Sequence, residues 1–249
     1  MDDGCGPGAD SVSRMSVWRR CLDLLEIGAR RPLLVRREIL SHSVQGQRIL
    51  FASDLHLRGD GPPEVVESIL DIASRESPHI ILLGGDLVDS RKGLPTLRNL
   101  IREMARVAPV AAIGGNHDRW IGLSRVRSAV LEGGGHWLED KPMRWAPGAV
   151  AYGSFDAELM PAQCHVLCAH HPHSSTVHSR FDLVLSGHLH GGQFVFFEHR
   201  GRLYPGAFLY RWNGLRFQQN GTTLLVSRGV RDTFPLRWNC PREVIIVDL

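Results

Sequence analysis

The sequence predicts an α/β protein, alternating strand and helix in its first half and richer in strand in its second. Three observations carry that reading. Short apolar runs recur from residue 48 onward, and two stretches with apolar residues at helical spacing fall between the early runs. The third is that these runs deliver clusters of Asp, Asn, His and Gly.

Taken in order, residues 1–13 are rich in Gly, Asp and Ser and are expected to be disordered. Residues 14–47 read as a basic amphipathic lead-in. Trp18, Cys21, Leu22 and Leu25 lie at helical spacing, and Gly28 stops the pattern. Eight arginines against three acids between residues 12 and 48 exceed the net charge of the whole chain, +3. Two readings are open: a helix packed on the main domain with a solvated arginine face, or a segment (residues 14–40) lying on an anionic membrane surface.

Residues 48–249 follow with no internal repeat or low-complexity linker, so they read as one domain. Ile49–Ala52, His79–Leu83, Val107–Ile113, Val166–Ala169 and Leu183–Leu185 are expected to be buried strands. Pro62-Pro63 opens a helix carrying Val65, Val66, Ile69 and Ile72, and Leu97, Leu100, Ile101 and Met104 give a second its apolar stripe. Gln193–Phe197, Thr222–Val226 and Val244–Val247 read as later strands.

Composition narrows the class. With 249 residues, 43% hydrophobic and 22% charged, the chain has the balance of a globular protein. No apolar run approaches the roughly 18 residues of a spanning helix, and the acidic start (Asp2, Asp3) leads into no signal-peptide core. A soluble, cytoplasmic protein is the expectation. A net charge of +3 is too small to mark a nucleic-acid binder. Five cysteines without a CxxC pair argue against disulfides and structural zinc.

The chemistry sits where the strands end. Asp54-Leu55-His56, Gly84-Gly85-Asp86-Leu87-Val88-Asp89, Gly114-Gly115-Asn116-His117-Asp118, His170-His171-Pro172 and Gly187-His188-Leu189-His190 each follow an apolar run. Strand ends of α/β sheets converge on one crevice, so these clusters are expected to meet. Asp54-x-His56 and His188-x-His190, read as extended backbone, point each pair one way. Asp86 can bridge two ions through its two oxygens, and Asn116 adds a neutral oxygen. Carboxylate, imidazole and amide donors without thiolate favour Mn²⁺, Fe or Zn²⁺. Asp-x-His alone is expected about once in such a composition, but Gly-Asn-His-Asp only about 0.002 times, so the conjunction decides.

These ordered motifs resemble those of the calcineurin-like metallophosphoesterases over about residues 48–249. Gly191-Gly192-Gln193, Val226-Ser227-Arg228-Gly229 and Pro235-Leu236-Arg237 resemble a bacterial, YkuE-like branch that includes phosphodiesterases and certain UDP-2,3-diacylglucosamine pyrophosphatases. The resemblance implies a four-layer α/β/β/α sandwich. It also implies two divalent cations, one held by Asp54, His56, Asp86 and His190 and the other by Asp86, Asn116, His170 and His188. A hydroxide shared by the ions would attack phosphorus, with His117 as general acid and Asp118 orienting it.

The implied substrate is a phosphodiester or pyrophosphate, lipid-linked or nucleotide-containing, and membrane contact would be peripheral to the inner membrane. Phosphomonoesterase, nuclease and non-catalytic scaffold are the alternatives; scaffolds of this kind lose ligands, and none is missing here. Two departures stand out: His173 where relatives often carry Asp, and a short stretch between Tyr152 and His170. Asp89 reads as a structural loop residue, and His165 or His171 would replace His170 under a shifted register. Cys164 and Cys168 read as buried fillers, and Trp18, Trp120 and Trp137 as core. Arg228, Arg231 and Arg237 read as ion-paired surface or as phosphate contacts.

Overall fold

Apolar runs that alternate between two buried faces force a two-sided sheet. In the computed structural model, which describes residues 24–41, 44–59, 63–173 and 180–249, two such sheets lie face to face. The strands are β1 (Leu25–Ile27), β2 (Leu34–Ile39), β3 (Arg48–Ala52), β4 (Ile80–Gly84), β5 (Val110–Ile113), β6 (His136–Trp137), β7 (Met143–Ala146) and β8 (Ala149–Tyr152). They continue with β9 (Cys164–Ala169), β10 (Leu183–Ser186), β11 (Val195–His199), β12 (Arg202–Pro205), β13 (Arg216–Gln219), β14 (Thr222–Val226), β15 (Leu236–Trp238) and β16 (Glu243–Asp248). The helices are α1 (Pro63–Glu76), α2 (Leu94–Met104), α3 (Asn116–Ile121) and α4 (Leu123–Glu132).

One six-stranded sheet has the order β2-β16-β3-β4-β5-β6 and the other β13-β14-β10-β9-β8-β7. Strands β3 to β6 run parallel, as do β8, β9, β10 and β14. Alternation sorts their side chains. Ile49, Phe51, Ile80 and Leu82 face the second sheet and meet Val166, Cys168, Leu183 and Leu185. Leu50, Ala52, Ile81 and Leu83 face the other way, onto Val65, Ile69, Leu97 and Leu100 of α1 and α2. Each fully buried Leu or Ile on these faces contributes roughly 1.5–3 kcal/mol.

The α/β class and the two central sheets are as expected. The outer face of the second sheet differs in detail from the first: among the described residues it is covered by loop side chains such as Phe155, Leu159, Phe181 and Trp212 rather than by α-helix. Residues 153–163, the stretch that looked short, supply part of that cover.

The lead-in is where expectation and structure part. Residues 14–23 lie outside the described residues, but Leu25–Ile27 is a strand paired with β15, not the end of a helix. Buried Glu26 ties it down through Arg242 at 2.9 Å, a partner more than two hundred residues away. β2 pairs with β16 from Leu34 to Ile39, so the sheet begins before residue 48. Its arginines are not a free basic face: Arg36 meets Glu243 at 3.3 Å, and Arg37 meets Glu76 at 2.7 Å. Among the described residues no helix is long and apolar enough to cross a membrane.

Candidate metal centre

Strands β3, β4, β5, β9 and β10 all deliver their carboxyl ends to one edge of the sheet pair, and the predicted residues meet there. Asp54 Oδ1 lies 3.5 Å from His190 Nε2, and His56 Nε2 lies 3.3 Å from the same nitrogen. Beside this nest, Asn116 Oδ1 is 3.0 Å from both His170 Nε2 and His188 Nδ1, while Asp86 Oδ2 is 3.2 Å from His170 Nε2. Within each of the groups Asp54–His56–His190 and Asp86–His170–His188, one donor atom per residue falls inside 4.8 Å. Donors gathered this closely, all oxygen or imidazole nitrogen, fit a pair of hard-to-borderline divalent cations.

The backbone has been bent to do this. Asp54 (φ 57°), His56 (φ 44°), Asp86 (φ 51°), His188 (φ 70°) and His190 (φ 49°) are all left-handed, a conformation non-glycine residues adopt at a cost of order 1 kcal/mol or more each. The strands end at Ala52 and Ser186, so the two pairs sit in loops past them rather than in the extended backbone that the sequence suggested. His188 and His190 consequently part, one to each nest. Gly115 permits the closest approach: a Cβ there would fall 2.1 Å from Asp86 Oδ1.

Outer contacts fix which ring nitrogen faces inward. His170 Nδ1 lies 2.9 Å from the Gly84 carbonyl, His56 Nδ1 2.6 Å from Asp89 and His190 Nδ1 2.8 Å from Asp232. Each leaves Nε2 for the nest. Asp232 is in turn held by Arg237 at 2.7 Å. Sequence reasoning missed Asp232 because nothing in its local sequence marks it, and it underrated Asp89, which the Gly-Asp-x-x-Asp spacing had signalled.

Asp118 is engaged elsewhere than at the His117 ring. Asp118 is fully buried, and its carboxylate accepts the backbone N–H groups of Leu87, Val88 and Gly115 at 2.8–3.1 Å. It pins the Asp86 loop to the start of α3 and is spent there. The ring partner of His117 is Asp89, 2.9 Å from Nδ1. The resemblance had implied Asp118, but on α3 consecutive side chains point apart.

His165 bonds to Tyr152 at 3.1 Å, and His171 packs its ring 4.2 Å from that of His188, so neither takes the position of His170. Arg228 and Arg237 are engaged with Glu243 and Asp232. Trp137 is core, but Trp120 is 75% exposed, its ring 4.7 Å from that of His117. Cys164 and Cys168 are buried, and burial pushes the Cys164 thiol up to about 12.

Electrostatics tune the donors. Burial opposes a charge on His170, but the hydrogen bond to Asp86 and the nearby carboxylates outweigh it and hold its pKa up at about 9. His188 is pushed down to about 4 by burial and by its histidine neighbours. Asp89 is held well below the usual carboxylate range: burial opposes this, but His56 and Arg58 prevail. A ligand imidazole must be neutral, so a cation held by His170 would have to displace its proton. Metal affinity is therefore expected to rise about tenfold per pH unit between pH 6.5 and 8, approaching its limit near 9. Titration calorimetry with Mn²⁺ in buffers of different ionisation heat checks this; no net proton release would contradict it.

Two adjoining nests of oxygen and imidazole donors at the joined strand ends of two packed sheets mark a metal-dependent hydrolase. The calcineurin-like phosphoesterase pattern matches residues 47–192. The chain is also 27% identical over 224 residues to phosphodiesterase YaeI of Escherichia coli, covering 81% of this chain and 82% of that one. It is 23% identical over 242 residues to the uncharacterised metallophosphoesterase YkuE of Bacillus subtilis (86% and 83%) and 26% identical over 223 residues to one from Aquifex aeolicus (81% and 84%). The chain belongs to the calcineurin-like phosphoesterases, phosphoric ester hydrolases that use divalent metal ions.

Proposed function

We propose that the protein hydrolyses a phosphodiester or pyrophosphate bond in a lipid-linked or nucleotide-containing ester, of the kind UDP-2,3-diacylglucosamine represents. The observation that carries this reading is the convergence of five left-handed Asp and His positions into two adjoining donor nests. Strain of that kind is kept where function demands it. Asp54, His56, Asp86 and His190 would hold one cation, and Asp86, Asn116, His170 and His188 the second; Mn²⁺ is favoured, with Fe or Zn²⁺ as alternatives. When bound, the ions supply Lewis acidity toward phosphoryl oxygens and a water of lowered pKa.

The chain's own residues do the rest. A cavity of about 220 Å³ is lined by Asp86, Asn116, His117, His188 and His190 together with Gln193, Asp232, Thr233 and Phe234. As the bond from phosphorus to the leaving oxygen breaks, His117 delivers a proton to that oxygen from Nε2. Asp89 holds the opposite nitrogen and keeps the ring aimed. A nucleotide component is favoured by Trp120, whose exposed ring beside His117 offers a stacking face. The name of the E. coli relative supports a diester.

The test is Mn²⁺-stimulated turnover of bis-p-nitrophenyl phosphate, followed by a panel of UDP-lipid, cyclic nucleotides and phosphomonoesters. Absence of metal-stimulated turnover on any of them would end the proposal. The proton-donor role has its own signature. Nitrophenolate leaves with little help, so His117→Asn should slow bis-p-nitrophenyl phosphate less than about tenfold, yet slow an alkyl diester by about 10²–10⁴. Equal losses on both substrates would remove His117 from that role.

A further inference from the structure

The strongest feature that the phosphoesterase chemistry does not use is the β11–β12 hairpin with the 3-10 turn Gly206–Phe208 that follows it. A row of aromatic rings runs along it. Phe197 stacks on Tyr204 across the two strands at 4.8 Å, and Tyr204 meets Phe208 edge-on at 4.9 Å. These are not core residues: Phe197 is 52% exposed, Phe208 74%, Leu209 82% and Tyr210 53%. A soluble surface rarely leaves so many large apolar side chains uncovered together.

Within residues 193–220, the charge on the face that carries the row is of one sign. The register pairs Phe197 with Tyr204 and His199 with Arg202, so the aromatic and basic pairs share one face of the hairpin. The only acid of residues 193–220, Glu198, stands opposite buried Leu203 on the other face. At the tip, Arg200 (φ 49°) and Gly201 (φ 73°) form a two-residue loop with both angles positive, the hairpin turn that follows strand twist. Arg200 stands exposed there, and exposed Arg211 lies over Trp212 just beyond the turn.

The hairpin is also tied to the metal centre. A Cβ on Gly192, two residues past His190, would stand 3.4 Å from Gly206 Cα. Asn213 bridges the two segments, donating to the carbonyls of Leu203 at 2.7 Å and Gly191 at 3.4 Å. Phe234, 58% exposed, lines the cavity, and its carbonyl accepts from the side chain of Gln193, two residues before β11.

We propose that this hairpin and turn are a docking surface for an anionic phospholipid bilayer, with the aromatic row and Leu209 entering the headgroup boundary and Arg200, Arg202 and Arg211 meeting lipid phosphates. Aromatic rings flanked by arginine suit that boundary, where an apolar body and a cationic rim are both satisfied. A protein partner would not by itself call for the single sign of charge. Docking this surface places the cavity mouth near the headgroup layer. That consequence for substrate choice rests on the phosphoesterase reading, whereas the docking rests on the surface alone.

The experiment is co-sedimentation of the full chain with vesicles of phosphatidylglycerol and phosphatidylcholine, against pure phosphatidylcholine. The wild type should bind the anionic vesicles, and Phe208→Ser/Leu209→Ser should weaken binding about tenfold or more. Arg200→Glu/Arg211→Glu should abolish the preference for anionic lipid. Turnover of soluble bis-p-nitrophenyl phosphate should be unchanged in both, which separates failed docking from failed catalysis. No vesicle binding, equal binding by the apolar variant, or a wild-type dimer that the apolar variant splits would overturn the proposal.

Discussion

Asp86→Asn should lower Mn²⁺-dependent hydrolysis of bis-p-nitrophenyl phosphate by at least about 10³-fold while leaving the protein folded. Asp86 is the one residue proposed to serve both cations. Its Oδ1 accepts the His117 backbone N–H at 2.8 Å, and Oδ2 points to His170. The burial of the group opposes its charge, yet hydrogen bonding and charge from His170 hold its pKa below the usual carboxylate range, so it meets a cation ionised. Asparagine keeps the volume and one acceptor oxygen but removes the charge that two adjacent cations share. With Asp54 then the only carboxylate in the paired nests, the second cation loses its anionic partner. Metal content measured on the purified variant should fall below two equivalents, and kcat/KM should fall with it. Activity within tenfold of wild type at saturating Mn²⁺ would show that the two nests are not coupled through this residue.

What the sequence revealed about the site and what it hid divide along a physical line. That the candidate residues would meet was legible because residue type marks them: clusters of Asp, His and Asn after apolar runs converge wherever parallel strands end together. Strands such as β4 and β14, and helices such as α1, were legible because burial on one or two faces leaves a periodic trace. Backbone conformation at the candidate residues was not. Asp and His are common in many settings, and only the packed loops push Asp54, His56 and Asp86 into left-handed geometry. Outer partners were equally hidden, since Asp232 reaches His190 through a fold that joins distant segments. Asp118 misled for the complementary reason: it is next to His117 in sequence, but its own side chain is consumed by three backbone amides.

The lead-in shows a different failure. Leu34-Val35-Arg36-Arg37-Glu38-Ile39 reads as basic and amphipathic because its neutralising charges come from elsewhere in the chain. Glu243 lies on the neighbouring strand and Glu76 at the end of α1. No local pattern reports a counter-ion that far away. A segment that looks like a charged surface is therefore an edge strand of the main sheet.

That same charge cluster sets the second large effect: Glu243→Ala should destabilise the fold by about 3–5 kcal/mol, since removing one partner of a buried ion pair strands the other. At this chain length the loss corresponds to a fall in Tm of about 10 °C. Glu243 is fully buried. It accepts from the Arg228 backbone at 3.0 Å and from its guanidinium at 2.5–2.9 Å, and it stands 3.3 Å from Arg36. Burial already lowers the pKa of Arg36, with Glu243 the largest opposing influence, so the cost falls on two cations. The effect should reach the metal centre as well. The Arg228 carbonyl accepts from Arg237 at 2.6 Å, Arg237 holds Asp232, and Asp232 holds His190. Replacing charges with apolar side chains in Arg36→Met/Glu243→Leu should restore part of the Tm, because it removes one stranded cation along with the anion. It should not restore metal affinity if the path to His190 runs through Arg228. Thermal melts of the variants with and without Mn²⁺ separate the two effects: a Glu243→Ala shift under about 3 °C would refute the stability argument, and full metal affinity in that variant would refute the coupling.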